Sequence, residues 1–316
     1  MVDAPFLPSE EGRYDERPGL GYLMVAIAAT LFAVNGTVSK VVLGSGLSSL
    51  ELTQIRSTGA AFGFLVFLVL FARRRLAVGR RELVFLIVYG VTGVAFVQWL
   101  YFVALEHLPV GVALLIQFLG PLWVALFARF VYRESIRRRV WASLALCLLG
   151  LSFVVELWTG LAFSTVGIAA ALGASFALAT YMLMAERERR HRDPASLSFY
   201  GFLFAAIFWA IVQPLWQFPW SVLGETVSLQ GNLSQYTAPV WVLVGFVIVV
   251  GTMATFSLLT GALRHIPATR AAIVSTLEPV LATVIAWAWL GESFGTSQLV
   301  GGAIVLAGIF LAQTAR

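Results

Sequence analysis

Two stretches of this chain, 158 residues apart, align without a gap over 31 positions: Ala104–Glu134 and Ala262–Glu292. His107 falls on His265, Pro109 on Pro267, Pro121 on Pro279 and Glu134 on Glu292. Ala104, Leu105, Ala113, Leu119 and Ala128 also meet identical residues. Prolines, histidines and glutamates are uncommon in apolar sequence, so their coincidence outweighs a similar number of matched leucines. Whatever fold this chain adopts has to contain one unit twice.

The unit is a membrane unit. Hydrophobic residues make up 59% of the 316 residues and charged residues only 12%. An average soluble domain carries about 25% charged residues. Apolar runs of about 20 residues span a bilayer as helices. They fall at 19–42, 49–72, 82–105, 109–131, 139–158, 164–185, 196–217, 239–263, 267–290 and 297–314. Residues 1–18 are polar and acidic, without the layout of a signal peptide, and read as a disordered cytoplasmic tail.

Loop charge gives the topology. Arg73, Arg74, Arg75, Arg80 and Arg81 lie between spans two and three. Arg133 and Arg137–Arg139 follow span four, Arg187, Arg189, Arg190 and Arg192 follow span six, and Arg264 and Arg270 flank the turn after span eight. The alternate connections carry no Arg or Lys, and Lys40 stands just before the first of them. Basic loops face the cytoplasm, so both termini are expected inside. This distribution also disposes of nucleic acid as the reason for the high pI. Five spans per copy is an odd number, so the second copy must enter the membrane inverted. The expected fold is therefore all-α and polytopic, with ten transmembrane helices in two inverted five-helix repeats, residues 19–158 and 159–316.

The pattern resembles the drug/metabolite transporter superfamily, and within it the EamA-domain family. The residues that carry the resemblance are His107-Leu-Pro109 with Gly120-Pro121 and Glu134, then Ile266-Pro267 with Leu277-Glu278-Pro279 and Leu290-Gly291-Glu292. The run from Gln117 to Leu122 is most similar to the branch that exports threonine, homoserine and other amino acids. The resemblance implies a ten-helix carrier in the plasma (inner) membrane. One departure is Phe32, near a place in the first helix where family members often carry Trp.

The matched prolines point to a site. Proline has no N–H for the carbonyl four residues earlier. Pro121 therefore releases the carbonyl of Gln117, and Pro279 that of Ser275, which are themselves repeat equivalents. In hydrocarbon a freed carbonyl needs protein, water or ligand, so a polar cavity is expected between spans four and nine. A kink satisfied by Ser, Thr or water is the bland alternative. Glu278, deep in span nine, is the most costly side chain in that setting. It could attract a substrate ammonium or carry a coupling proton, or it could stitch two helices together with Arg56. Asn35 interrupts span one and could bond an amino-acid backbone or a neighbouring helix.

In span three, Gln98 and Tyr101 share one face, while Tyr89, Thr92 and Phe96 mark another. Tyr181 is the aromatic-polar candidate of span six. Each aromatic taken singly reads more simply as packing. Arg56 admits two readings: a cation snorkelling outward to pair with Glu51, or a holder of a carboxylate. His107 and His265 read as turn residues. The GxxxG of Gly59 and Gly63 allows a close helix approach without requiring a dimer.

No GxSxG or HExxH motif is present, and Cys147 is the only cysteine, so neither an enzyme nor a Cys-based metal site is expected. No cofactor is called for. The expected partners are the lipid bilayer, a small-molecule substrate and, in a coupled carrier, protons. Several cations would be needed to bind a phosphorylated solute, so neutral or zwitterionic metabolites fit better. The expected function is amino-acid export by alternating access. Efflux of hydrophobic drugs or other small metabolites, and a passive channel, are the competing readings.

Overall fold

A computed structural model describes residues 17–107, 116–131, 137–154, 158, 164–188, 192–291 and 295–314. Pro109, Glu134, Glu292 and the acidic tail before Arg17 lie outside them. The described chain is predominantly helical. The first half holds α1 (Pro18–Leu43), α2 (Ser49–Phe71), α3 (Arg80–Val88), α4 (Phe96–His107), α5 (Gly120–Phe130) and α6 (Arg138–Val154). The second holds α7 (Thr165–Glu188), α8 (Pro194–Val212), α9 (Val240–Ile248), α10 (Thr255–Ala262), α11 (Ala268–Ser275), α12 (Leu277–Leu290) and α13 (Thr296–Thr314).

Among the described residues, seven helical stretches are long and apolar enough to cross a membrane: Pro18–Leu43, Ser49–Phe71, Glu82–Tyr101, Thr165–Glu188, Pro194–Val212, Val240–Ala262 and Ala268–Trp289. Of the three remaining runs, span four begins outside the described residues, α6 has 17 residues, and α13 carries a shorter apolar stretch, Leu299–Gly308.

Local chemistry sets several helix ends. Ser48 and Glu51 form a reciprocal capping box at the start of α2, with Ser48 N–H donating to Glu51 Oε2 at 2.7 Å. Asp193 caps α8, and Pro194 fits the first turn, where no N–H is needed. Gly291, at φ 72°, closes α12 in the left-handed conformation.

Two spans change winding midway. A π-helical turn, Tyr89–Ala95, joins α3 to α4, and another, Val249–Ala254, joins α9 to α10. Gly93 and Gly251 lie in them, again 158 residues apart. A Cβ on Gly93 would sit 3.1 Å from Tyr181 Cα, and one on Gly251 would overlap the Asn35 carboxamide. In the second turn the hydroxyls of Thr252 and Thr255 donate to the carbonyls of Val247 and Val250, five residues back. π-turns of this kind often sit where a helix is shaped for function.

Neighbouring helices repeat the same pairings in both halves. α1 packs on α9–α10 and on α11–α12, while α7 packs on α3–α4 and on α5; α2 meets α8, and α6 meets α13. The α6–α13 crossing is antiparallel: Ser143 Oγ donates to Gly308 O at 2.7 Å, and a Cβ on Gly150 would lie 2.7 Å from Gly301 O. The GxxxG glycines of α2 face the same chain, Gly59 against Ile248 and Gly63 against Met253.

The polar contacts at the two ends differ. At the Arg-rich end, Arg192 is buried and Nε meets Glu82 at 2.5 Å. Its Nη1 and Nη2 donate to the carbonyls of Arg75 and Ala77 at 3.0 and 2.9 Å, and Arg270 donates to Tyr22 Oη. At the other end a cap follows α8. Strands β1 (Thr226–Ser228) and β2 (Thr237–Pro239) pair antiparallel within it. Trp289 Nε1 donates to Leu229 O at 2.8 Å and Asn232 Nδ2 to Ala288 O at 3.2 Å, which ties the cap to the end of α12.

Candidate functional site

The fourth and ninth spans are both interrupted just before their prolines. Helix geometry lapses at Phe118–Leu119 and at Thr276, and Phe118 and Thr276 are repeat equivalents. New segments then start at Gly120 and Leu277, with Pro121 and Pro279 in their first turns, where proline suits the backbone. Both prolines are buried, while Gln117 and Ser275 are half-buried beside the breaks. Ser275 Oγ donates to Ala271 O at 2.9 Å, and Thr276 Oγ1 donates to Ile273 O at 2.6 Å, so hydroxyls meet part of the interrupted backbone.

Glu278 begins the new segment in span nine. Ten residues separate it from Ala268, so it stands about 15 Å in from that helix end. It is half-buried, and no hydrogen bond or ion pair holds its carboxylate among the described residues. Tyr101 of α4 is within electrostatic reach of both Glu278 and Arg56. Arg56 Nη2 donates to Gln98 Oε1, and Gln98 Nε2 donates to Val94 O at 3.2 Å. Arg56 and Gln98 thus form one polar contact between α2 and α4.

This corrects one of the two sequence readings of Arg56. Glu51 is engaged in capping its own helix, and the guanidinium turns inward to α4 instead of outward to Glu51. The Arg56 Nε–H is buried without an acceptor.

The other candidates divide. Tyr89 and Tyr181 are buried with rings stacked at 5.5 Å. Tyr181 also meets Phe256 edge-on at 5.5 Å, and Phe256 contacts Phe32 and Phe202 at 5.5 and 4.8 Å. These rings join α1, α7, α8, α10 and the first π-turn in one aromatic cluster. The sequence reading had no reason to include Phe256; its signal is the adjoining Gly251-Thr252 π-turn, which is visible only once Gly93 is matched to Gly251. Asn35 is buried against Gly251, its Oδ1 without a hydrogen-bond partner. Phe96 lies edge-on to Phe208 of α8 at 5.4 Å. His107 Nδ1 bonds Val103 O at 2.9 Å, as suits a helix end. Among the described residues, no cluster of His, Cys, Asp and Glu could hold a metal ion.

A bundle of apolar helices, broken at matched points and carrying a small set of charged and amide groups, defines a class: integral membrane proteins that handle small solutes. The profile of the EamA-like transporter family matches residues 19–156 and 165–314, once per half, and the chain belongs to that family. It is thus a transporter in kind and not an enzyme. It is 29% identical over 266 residues to the threonine/homoserine exporter RhtA of Escherichia coli K12, covering 81% of this chain and 80% of RhtA. It is 26% identical to the pseudopaline exporter CntI of Pseudomonas aeruginosa strain UCBPP-PA14, over 94% of this chain and 97% of CntI. An uncharacterized transporter of Archaeoglobus fulgidus is 27% identical over 92% of this chain. A solved crystal structure superposes with a TM-score of 0.75 at 19% identity, covering 92% of this chain and 96% of its own, which establishes the likeness of fold.

Proposed function

We propose that this protein is a secondary transporter that exports amino acids, or closely related small metabolites, across the plasma (inner) membrane by alternating access. The observation that carries the reading is the pair of equivalent interruptions at Phe118 and Thr276, with Glu278 beside the second. Broken helices at corresponding points of two halves form substrate sites near the bilayer midplane. RhtA, similar over 81% of the chain, supports amino acids as the cargo.

The ten spans form two inverted repeats, one from 19 to 158 and one from 159 to 316. The antiparallel crossing of α6 and α13, which are repeat equivalents, supports the inversion. The gathering of Arg192, Arg264 and Arg270 at one end supports placing that end, and both termini, in the cytoplasm. The residues that meet substrate are Gln98, Tyr101, Gln117, Ser275 and Glu278. Tyr89, Tyr181 and Asn35 lie in the aromatic cluster and helix crossing beside them, and Glu278 is the group suited to carry a proton.

Counterflow in proteoliposomes with labelled L-threonine and L-homoserine, with and without a pH gradient, tests this. Saturable exchange is expected. Single-channel currents, or failure of every amino acid in the panel, would refute it.

A further inference from the structure

We infer that the groove where α2 runs into the loop before α3 is a binding site for an anionic glycerophospholipid, with Arg73 and Arg74 taking the phosphate and Phe67 and Phe71 an acyl chain. This is a second site, on the exposed surface of α2, and it does not depend on the cargo proposed above.

α2 ends at the level where a lipid changes from chain to headgroup. Its 23 residues, Ser49–Phe71, extend about 34 Å, close to the roughly 30 Å of a hydrocarbon core. Phe64 and Leu68 are buried in the protein, whereas Phe67 and Phe71 are 44% and 76% exposed. At i and i+4 the two exposed rings share one side of the helix, their centroids 5.4 Å apart. Ala72 then leaves the helix, and Arg73–Leu76 form a 3-10 turn. A groove of about 400 Å³ is lined by Phe67, Phe71, Ala72, Arg73, Arg74 and Arg75. Rings and guanidinium groups therefore face one space.

The turn that carries the arginines is pinned from behind by α8 and the residue before its cap. Arg75 O accepts from Arg192 Nη1 at 3.0 Å and from Ser196 Oγ at 2.8 Å. Leu76 O accepts from Tyr200 Oη at 2.6 Å, and Ala77 O from Arg192 Nη2 at 2.9 Å. Two of the arginines are also fixed by the protein: Arg73 Nε donates to Val69 O at 2.7 Å, and Arg75 Nη1 meets Asp193 Oδ1 at 2.9 Å. A ligand arriving here has less disorder to remove, which favours binding.

Charge and shape together select the occupant. Asp193 offsets Arg75, while no carboxylate pairs with Arg73 or Arg74 among the described residues. Neighbouring cations attract an anion, and a phosphodiester presents two oxygens to the guanidinium fork. The aromatic wall selects an anion with hydrocarbon attached. A zwitterionic headgroup would bring its own cation against the arginines, so a net negative headgroup fits better. Arginines that served topology alone would need only to lie outside the hydrocarbon; these line a groove together with two rings.

The test is native mass spectrometry of the full chain, released from detergent micelles that contain phosphatidylglycerol or phosphatidylcholine with the same acyl chains. Wild type is expected to retain phosphatidylglycerol saturably and about tenfold more tightly than phosphatidylcholine. Arg74→Gln should lower that affinity about fivefold, the effect of one arginine at a headgroup. Phe71→Ala should weaken both lipids. Neither residue belongs to the Arg192 network, and melting temperatures of the variants check that the fold is kept. Arg80→Gln removes the same charge at the start of α3, outside the groove, and should leave binding unchanged.

Equal affinity for the two lipids in wild type would remove the anion preference and overturn the site. Equal losses in Arg74→Gln and Arg80→Gln would reduce it to diffuse surface charge, and an unchanged Phe71→Ala would remove the chain-binding wall. Displacement of phosphatidylglycerol by inorganic phosphate would assign the groove to a soluble anion instead. Each of these results overturns the inference.

Discussion

Gly150 and Gly308 make the same contact from opposite sides. A Cβ on Gly150 would lie 2.7 Å from Val305 N, and one on Gly308 would lie 2.7 Å from Cys147 Sγ and 3.1 Å from Cys147 N. Residues 150 and 147 are the repeat equivalents of 308 and 305. The crossing of α6 and α13 is therefore made by equivalent residues from its two sides.

That crossing is backbone against backbone, so it cannot yield to a larger residue. Gly150→Ala is expected to destabilise the protein by about 1–3 kcal/mol. Gly245→Ala, where a Cβ meets nothing within 4 Å, should be neutral or slightly stabilising, since alanine favours helix. Melting of both variants in detergent checks the difference.

Asn35 and Gly251 form a tighter fit, between α1 and the second π-turn. Gly251→Ala should impair folding, because the new methyl occupies the Asn35 carboxamide. Asn35→Ala in the same chain should restore much of the loss, as coupled neighbours do. A double-mutant cycle on melting temperature reads the coupling; strictly additive losses would exclude this contact as the cause.

Arg192 ties the loop between α2 and α3 to the start of α8 through Glu82, Ser196 and two carbonyls. Removing the partner charge with Glu82→Gln leaves a buried guanidinium short of its counter-ion. The expected loss is about 2–4 kcal/mol. Arg192→Lys should not restore stability, because an ammonium lacks the fork that reaches Arg75 and Ala77 together.

The cap between α8 and α9 rests on α12 through Trp289 and Asn232. Trp289→Phe keeps the ring but loses the bond to Leu229 O, at a cost of about 1 kcal/mol. Faster amide exchange over residues 226–239, with the α6–α13 crossing unchanged, is the expected result.

Pro121→Ala and Pro279→Ala restore the missing N–H and favour continuous helices in spans four and nine. Each is expected to slow threonine counterflow while leaving the melting temperature equal or higher. Unchanged transport in both would sever the breaks from function.

Much of this was legible beforehand because it is local. Proline lacks a donor wherever it stands, so the interruptions before Pro121 and Pro279 could be placed to within a few residues. Apolar runs of about 20 residues are likewise local, so the places of the long helices such as Pro18–Leu43 and Ser49–Phe71 could be read from hydropathy. Side-chain partners were less accessible. Sequence spacing paired Arg56 with Glu51, while the fold uses Glu51 as a cap and turns Arg56 to Gln98, 42 residues on. Phe96 and Tyr89 shared a sequence face, yet one packs on Phe208 and the other on Tyr181. The π-turn between them rotates the rest of the span, and a 3.6-residue period cannot anticipate that.

The sequence by itself determined that the chain is a duplicated bundle of membrane helices with matched breaks, because hydropathy, loop charge and proline chemistry act residue by residue. Only the tertiary structure decided which polar groups meet. Helices that are apolar on every side carry no stripe to announce their neighbours, and close packing at Gly93, Gly150, Gly251 and Gly308 chooses those neighbours instead.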